Sequence, residues 1–184
     1  MFLVSKIRKG LYKMQDFRVI LIALVLVVAV SGCVQSQESV KVYDVVDGDT
    51  INIDYNGVND TIRLLGVDTP EVHTDTDPSE YENMPVNSEG RSCLRNWGEN
   101  ASNYLKEQVG EEIRIEVGGD KRGSYGRLLA YIYTNESNES LNYLLVKKGY
   151  ARVYESDFDR QEKFLEAERT AQESNTGLWK CTAN

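Results

Sequence analysis

Short segments in which apolar and polar residues alternate dominate residues 40–134 of the chain. A period of two is typical of half-buried β-strands, and the turn signals Asp47-Gly48-Asp49 and Asn56-Gly57 separate the first three segments. The pattern predicts strands at 40–46, 50–55, 61–67, 112–117 and 127–134. The first three are close enough along the chain to form a meander.

A period near 3.6 residues follows in the other segments and predicts three helices, at 88–109, 141–148 and 158–173. Gly110 and Gly149 are helix stop signals. Residues 74–87 are acidic and contain two prolines, so they are predicted to form a loop. Three strands, a helix, two strands and further helices are an α+β order. Five short strands with a helix after the third favour an OB-fold β-barrel, partly open, with about three helices.

The first 32 residues have a different pattern. Five basic residues precede an apolar run of 12 residues at 19–30, too short for a hydrocarbon layer of ~30 Å. Small residues then lead to Cys33, which indicates a signal peptide at 1–32 with a lipobox ending at Cys33, where the thiol is acylated. Residues 33–39 would be a linker and 40–184 the folded domain. An uncleaved anchor helix is the alternative, and both interpretations predict an exported, membrane-attached protein.

Charge changes this picture once the leader is removed. The whole chain has 21 basic and 29 acidic residues, of which the leader holds five and one, so residues 33–184 have a net charge of −12. A strongly acidic chain is unsuited to tight non-specific binding of nucleic acid, which depends on neutralising phosphates. A bound divalent cation could offset a local cluster of carboxylates.

Three cysteines are present. If Cys33 is acylated, Cys93 and Cys181 remain as a pair, and an exported protein is expected to join them in a disulfide. The bond would tie the end of the chain to its middle.

Arg63 interrupts an otherwise apolar predicted strand. A half-buried guanidinium needs an anionic partner, and its planar fork suits a phosphate group. Asp68 follows at the strand end, and Pro70 stiffens the turn from which Glu71 projects. The alternative is a structural ion pair between Arg63 and Asp68 beside a proline turn.

Two further motifs are weaker when taken alone. Asp47 and Asp49 flank a glycine at a strand turn and could direct a carboxylate at a metal ion, although such a turn is also an ordinary hairpin. Arg127 opens the fifth strand after a glycine turn, next to Tyr125. The plainer interpretation there is a barrel strand with a solvated arginine.

Together, and in this order, the three motifs resemble the thermonuclease (staphylococcal nuclease-like) family. They read D-G-D-T, then R-L-L-G-V-D-T-P-E, then Y-G-R-L-L-A-Y. The resemblance covers about residues 40–180, and the middle motif is the most specific. It implies a calcium-dependent endo- or exonuclease that hydrolyses DNA and RNA, preferably single-stranded, to 3′-phosphate ends. A monomer is expected.

The resemblance also implies a role for individual residues. Asp49, Asp68 and the backbone carbonyl of Thr69 match the family's ligands of Ca²⁺, and Asp47 matches a nearby acid that supports them. Oxygen-only ligands suit this hard cation.

The catalytic residues implied in the same way are Arg63, Arg127 and Glu71. The two arginines match those that bind the scissile phosphate, and Glu71 matches the carboxylate usually called the general base. Tyr125 and, in a looser match, Tyr154 would contact the substrate.

The chain departs from the best-known family pattern in its acidity. Lys121 is one of only two basic residues available for substrate contacts before Tyr125, the other being Arg122. The acidic loop Asp75–Glu82 could hold a second cation or remain a solvated flap. Two other functions stay open: a non-catalytic OB-fold module that binds nucleic acid or protein, and a structural lipoprotein whose carboxylates bind calcium for stability.

Overall fold

Five strands pair edge to edge and close into a mixed β-barrel. The structure is a computed structural model that describes residues 37–182 apart from residues 75 and 155. In chain order the strands of the described part are Glu38–Val45 (β1), Thr50–Tyr55 (β2), Val58–Leu64 (β3), Val67–Asp68 (β4), Glu112–Arg122 (β5), Leu128–Tyr133 (β6) and Arg152–Val153 (β7). The barrel order is β1-β2-β3-β6-β5, and β1 pairs with β5 to close it. β4 and β7 form a separate two-stranded sheet.

The alternation in the sequence explains which side of the barrel is filled. Ile51 and Ile53 of β2, Ile62 of β3, and Ile113 and Ile115 of β5 have no exposed surface. Burial of each side chain of this size stabilises the folded state by about 1.5–3 kcal/mol relative to leaving it exposed to water. Four of the five barrel contacts are antiparallel, whereas β3 and β6 run parallel with Ile62 opposite Leu128. The predicted OB-type barrel is therefore confirmed, and it is closed rather than partly open.

In the part of the chain that the structure describes, three helices pack outside the barrel, as predicted. They are Ser88–Gln108 (α1), Leu141–Lys147 (α2) and Gln161–Glu173 (α3), with short 3₁₀ helices at Pro78–Glu80 and Gly177–Cys181. The side chains of Asn87 and Ser140 cap α1 and α2 by accepting bonds from the backbone N–H groups of Gly90 and Tyr143. Phe164 of α3 is fully buried and packs edge-on against Tyr131 of the barrel.

Several element boundaries differ from the prediction. The segment 61–67 is not one strand, because the chain turns at Gly66 (φ 77°) between β3 and β4. A side chain there would be strained, and its Cβ would come within 2.6 Å of the ring of Phe158. Phe158 fills this space, and α3 begins only at Gln161.

The other differences are extensions of strands. β5 continues past Val117 to Arg122 across a register shift against β6, which periodicity over a few residues does not reveal. β1 begins at Glu38, so the last two residues of the predicted linker 33–39 belong to the barrel.

The predicted leader and Cys33 lie outside the described residues, so their prediction stays open. Among the residues that are described, no helix is both long enough and apolar enough to cross a membrane.

The end of the chain is attached to α1 and to the turn after α2. Cys93 and Cys181 form a disulfide with their Cα atoms 6.0 Å apart, as predicted. Trp179 is buried in a small second core with Tyr81, Met84 and Leu94. The tail also meets the turn after α2, where the N–H of Leu178 donates to the carbonyl oxygen of Gly149 at 2.7 Å. Residues 177–181 therefore contribute to the stability of the folded state.

We expect the change Cys181→Ser to lower the free energy of unfolding by about 2–4 kcal/mol, because the disulfide closes a loop of 88 residues in the unfolded chain. Urea denaturation of oxidised protein measures this. Under reducing conditions the variant and the original chain should unfold at nearly the same urea concentration. A loss below about 0.5 kcal/mol in oxidised protein would contradict a structural role for the bond.

Candidate active site

Asp49 is a buried carboxylate at the entrance of β2, with 1% of its surface exposed. Its Oδ2 atom accepts bonds from the backbone N–H of Thr69 at 2.9 Å and from the Thr69 hydroxyl at 3.1 Å. Its Oδ1 atom accepts a bond from the Thr50 hydroxyl at 3.1 Å. Asp47 closes the preceding turn, since its carboxylate accepts a bond from the Asp49 N–H at 3.1 Å. These bonds fix the Asp49 side chain in one orientation.

Arg63 connects Asp49 to Asp68. The pairing of β2 with β3 sets Arg63 opposite Thr50, so its guanidinium reaches the Oδ1 atom of Asp49 with one nitrogen. The other terminal nitrogen lies 2.5 Å from the Oδ1 atom of Asp68. The ion pair between Arg63 and Asp68 that the sequence offered as an alternative is thus present. It is part of a larger arrangement in which one guanidinium bridges the carboxylate of Asp49, in the turn before β2, and that of Asp68 in β4.

Arg63 also lines a groove that continues to Arg127. The groove has a volume of about 320 Å³ and includes Tyr125 and Tyr154 in its wall. The Tyr125 ring is 86% exposed, and the Arg127 guanidinium lies 5.7 Å from its centroid. Two predicted phosphate-binding arginines and two predicted substrate-contacting tyrosines therefore meet in one groove.

Glu71 projects from a turn that is held against α1. Its N–H donates to the Thr76 hydroxyl at 2.8 Å, and Pro70 beside it is buried against the helix. The residue as a whole is exposed, yet partial burial of the carboxyl group raises its pKa. The carboxylate of Asp47 raises this pKa further, whereas Arg63 opposes the change. A carboxylate with a raised pKa is a stronger base once ionised.

The sequence of the chain matches that of a known protein family. The family model described as staphylococcal nuclease homologue matches residues 61–181. The chain belongs to the staphylococcal nuclease family. The matched range contains Arg63, Asp68, Glu71 and Arg127, and begins after Asp49.

Individual relatives agree with this assignment. An uncharacterized protein of Methanocaldococcus jannaschii is 41% identical over 152 residues, which cover 78% of this chain and 72% of that protein. The thermonuclease of Staphylococcus hyicus is 31% identical over 147 residues, covering 78% and 77%. Endonuclease YncB of Bacillus subtilis is 37% identical over 139 residues, covering 73% of this chain and 58% of YncB. The relatives include nucleases, which supports nuclease activity in general.

One functional candidate in this member of the family was missed by sequence reasoning. Arg152 of β7 lies opposite Asp68 of β4, and its guanidinium is 2.8 Å from the Oδ2 atom of Asp68 and 3.1 Å from Glu80. Asp68 is therefore shared between Arg63 and Arg152, one on each carboxylate oxygen. This contact depends on the pairing of β4 with β7, which are only two residues long each. No local sequence pattern predicts such a pairing.

Other predicted contacts are not brought to the groove. Lys121 lies exposed on β5 and is absent from the described residues that line the groove. Arg122 is directed instead to Asp60, with a nitrogen–oxygen distance of 2.6 Å. In the acidic loop, Asp77 caps a 3₁₀ helix by accepting a bond from the Ser79 N–H. A substrate-binding role for Lys121 stays a prediction without support from this geometry.

The chemistry of the donors beside Arg63 fits a hard cation. Asp49 and Asp68 each place an oxygen on the guanidinium of Arg63, and Thr69, the residue after Asp68, donates its backbone N–H to Asp49. Across the described residues, no three side chains of Asp, Glu, His or Cys converge closely enough to hold a metal ion. Two carboxylates, one carbonyl and water would therefore have to complete the shell, and calcium accepts such a set.

The contact between α1 and the Pro70 turn leads to a stability prediction. In a helix interior, Gly98→Ala would normally stabilise by up to about 1 kcal/mol. Here the added Cβ would overlap the carbonyl oxygen of Pro70, so we expect a destabilisation of about 1–3 kcal/mol. Urea denaturation measures the change. Gly110→Ala is the control, because no atom lies within 4 Å of its added Cβ. A more stable Gly98→Ala variant would contradict the close contact.

Proposed function

We propose that this member of the staphylococcal nuclease family is a calcium-dependent nuclease that hydrolyses DNA and RNA to 3′-phosphate ends, preferably in single strands. The observation that carries the proposal is that Arg63 and Arg127 line one groove, beside the carboxylates of Asp49 and Asp68. Paired guanidinium groups suit a phosphodiester, and adjacent carboxylates suit a cation that shares the same phosphate.

The two arginines would act on the charge of the reacting phosphate. Attack of water on phosphorus increases the negative charge on the non-bridging oxygens, and donors already aimed at that position stabilise the transition state. Arg127 points along the groove next to an exposed ring and can turn to the phosphate. Arg63 has both terminal nitrogens on carboxylates, so it must exchange at least one of these partners for a phosphate oxygen.

Asp49, Asp68 and the carbonyl of Thr69 are the residues proposed to hold calcium. A bound divalent cation would supply positive charge beside the phosphate, and Asp49 and Asp68 would hold it with carboxylate oxygens that otherwise bond to Arg63. Arg152 holds the second oxygen of Asp68 in place, and the Thr69 N–H and hydroxyl hold that of Asp49. Both carboxylates thus keep their orientation when Arg63 turns to the substrate.

Glu71 is proposed to take the proton of the attacking water. The rigid turn at Pro70 and the bond from its N–H to Thr76 fix the backbone from which it projects. As the water oxygen bonds to phosphorus, the bond from phosphorus to the 5′-oxygen breaks, and this oxygen takes a proton from solvent water to leave as the 5′-hydroxyl. The phosphate stays on the 3′-side. General-base catalysis of this type contributes about 10²–10⁴-fold.

Tyr125 and Tyr154 would bind the nucleotides next to the scissile bond. The two residues are 86% and 51% exposed and both line the groove, so their rings are accessible to a ligand there. Stacking of bases on such rings tolerates any sequence, because each base has an aromatic face. This supports weak base specificity and a preference for unpaired strands.

Attachment outside the cell, through acylated Cys33, belongs to the same proposal. The basic segment, short apolar run and small residues before Cys33 support it. An acidic nuclease near an anionic surface would rely on its cation and local arginines to bind substrate. We propose that it acts there as a monomer.

Glu71→Gln is the test of catalysis. We expect kcat on single-stranded DNA to fall at least about 100-fold with calcium present, because Gln cannot accept the proton. Calcium affinity, measured by titration calorimetry, should change little, since Glu71 is not among the proposed ligands.

The control for that change is Glu89→Gln, on the exposed first turn of α1, which removes the same charge. Its kcat should stay within about twofold of the original. If Glu71→Gln keeps its activity, the base is another group. If the original chain binds DNA and calcium without cleaving, the non-catalytic module or the structural calcium site is correct instead.

Cys33→Ser tests the anchor. Cells expressing the original chain with radiolabelled palmitate should yield a labelled protein in the membrane fraction, and the variant should be unlabelled. Cys33 supplies the thiol, so its loss removes the acylation site. Equal labelling of both proteins would contradict the lipobox.

A further inference from the structure

A second groove, separate in its lining from the catalytic groove, lies where α1, the end of α2 and the 3₁₀ helix Gly177–Cys181 meet. Its volume is about 530 Å³, and its wall includes two aromatic rings and three lysines: Trp97, Tyr150, Lys147, Lys148 and Lys180. We propose that this groove is an accessory binding site for single-stranded nucleic acid, which holds a strand whose other part lies in the catalytic groove. We call it the lysine groove.

Aromatic rings in the lysine groove are arranged for stacking. Tyr150 is in contact with Trp97 (ring centroids 5.8 Å apart) and lies nearly parallel to Tyr104 at 4.9 Å. All three are half-buried, so part of each residue faces solvent while neighbours hold the ring. Such a fixed, partly open aromatic surface binds bases without strong sequence preference, and each stacked base contributes about 1–3 kcal/mol.

Cations surround these rings. The Nζ atom of Lys148 lies 5.7 Å from the centre of Tyr104, and that of Lys180 lies 5.9 Å from the centre of Trp97. Lys147 adds a third exposed ammonium group, at 3.6 Å from the exposed carboxylate of Glu139. Ammonium groups beside aromatic faces match the alternation of phosphates and bases along a strand.

The local charge contrasts with the rest of the chain. Residues 33–184 have a net charge of −12, yet among the described residues that line the lysine groove none is acidic. Random placement of 28 acidic and 16 basic residues would favour acids there. A polyanion is therefore the ligand whose charge complements this surface.

The shape of the groove favours a nucleic acid strand over a lipid surface. Membrane binding by a surface segment is strengthened by apolar side chains that project outward, as on an amphipathic helix, in addition to its positive charge. Here Trp97, Tyr150 and Leu144 are half-buried in the wall of a concave site. Gly177 lines the groove, and a Cβ added to it would overlap the carbonyl of Gly149, whereas a Cβ added to Gly149 would overlap the carbonyl of Thr176. This close backbone packing fixes one wall of the groove.

Chain connectivity places the lysine groove near the catalytic groove. Tyr150 lines the first and Tyr154 lines the second, four residues later. Four residues span at most roughly 14 Å. One strand of DNA rises about 3.4 Å per nucleotide when stacked, so about four to six nucleotides could reach from one site to the other. The inference rests on the proposed function only where it joins the two grooves by one strand, because binding in the lysine groove itself does not require catalysis.

The test is oligonucleotide binding by the full chain in mild detergent, with EDTA present to stop cleavage. Fluorescence anisotropy would follow labelled oligothymidylate of about ten nucleotides. We expect Lys148→Glu and Lys180→Glu each to weaken binding at least about fivefold and to reduce the salt slope by about one. Lys41→Glu, an exposed lysine of β1 with the same change of charge, should alter affinity less than twofold.

Two further measurements separate the possible outcomes. Bound oligonucleotide should quench the fluorescence of Trp97, and Trp97→Phe should remove the quenching, because Trp179 is buried in the core. With calcium, the lysine variants should raise KM for long strands and leave kcat/KM for a dinucleotide unchanged. If the proposed nuclease activity fails while lysine-dependent binding holds, only the proposed function is lost.

The proposal is overturned if Lys148→Glu and Lys180→Glu bind oligonucleotide as Lys41→Glu does. It is also overturned if the two lysines matter for binding to vesicles of phosphatidylglycerol but not to oligonucleotide, because the groove would then contact the membrane.

Discussion

The structure depends on the burial of one carboxylate, that of Asp49. A buried charge is costly unless hydrogen bonds and an opposite charge compensate it. Asp49 has both, through Thr50, Thr69 and the guanidinium of Arg63. Because these partners come from β2, from β3 and from the turn after β4, the compensation of a single charge fixes three parts of the chain together. Removing any one partner would leave a buried charge without its balance.

The same arrangement explains how an acidic protein could present the proposed phosphate site. Arg63 is held by two carboxylates, and Asp68 is in turn held by Arg152, so positive and negative groups alternate from Asp49 to β7. In this set of four groups, two carboxylates balance two guanidinium groups. A cation and a phosphate could enter together with little change in net charge, because the cation would take a carboxylate from Arg63 and the phosphate would take that carboxylate's place on the guanidinium.

Sequence alone predicted those features that depend on neighbouring residues. Alternation over six residues identified β2 because each second side chain enters the barrel, and the motif around Arg63 carried its chemistry in nine consecutive positions. The contact of Arg152 with Asp68 was missed because it joins residues 84 positions apart through strands of only two residues each. The lysine groove was missed for the same reason, since Trp97, Lys148 and Lys180 come from three separate elements.

The most direct test of the account is end analysis after cleavage of single-stranded DNA by the purified full chain. Calcium, magnesium and EDTA would be compared, with Asp68→Asn alongside, a change that removes charge from the proposed calcium site. The account predicts calcium-dependent cleavage to 3′-phosphate and 5′-hydroxyl ends, lost in EDTA and strongly reduced in Asp68→Asn. Cleavage that persists in EDTA, or that leaves 5′-phosphate ends, would contradict it.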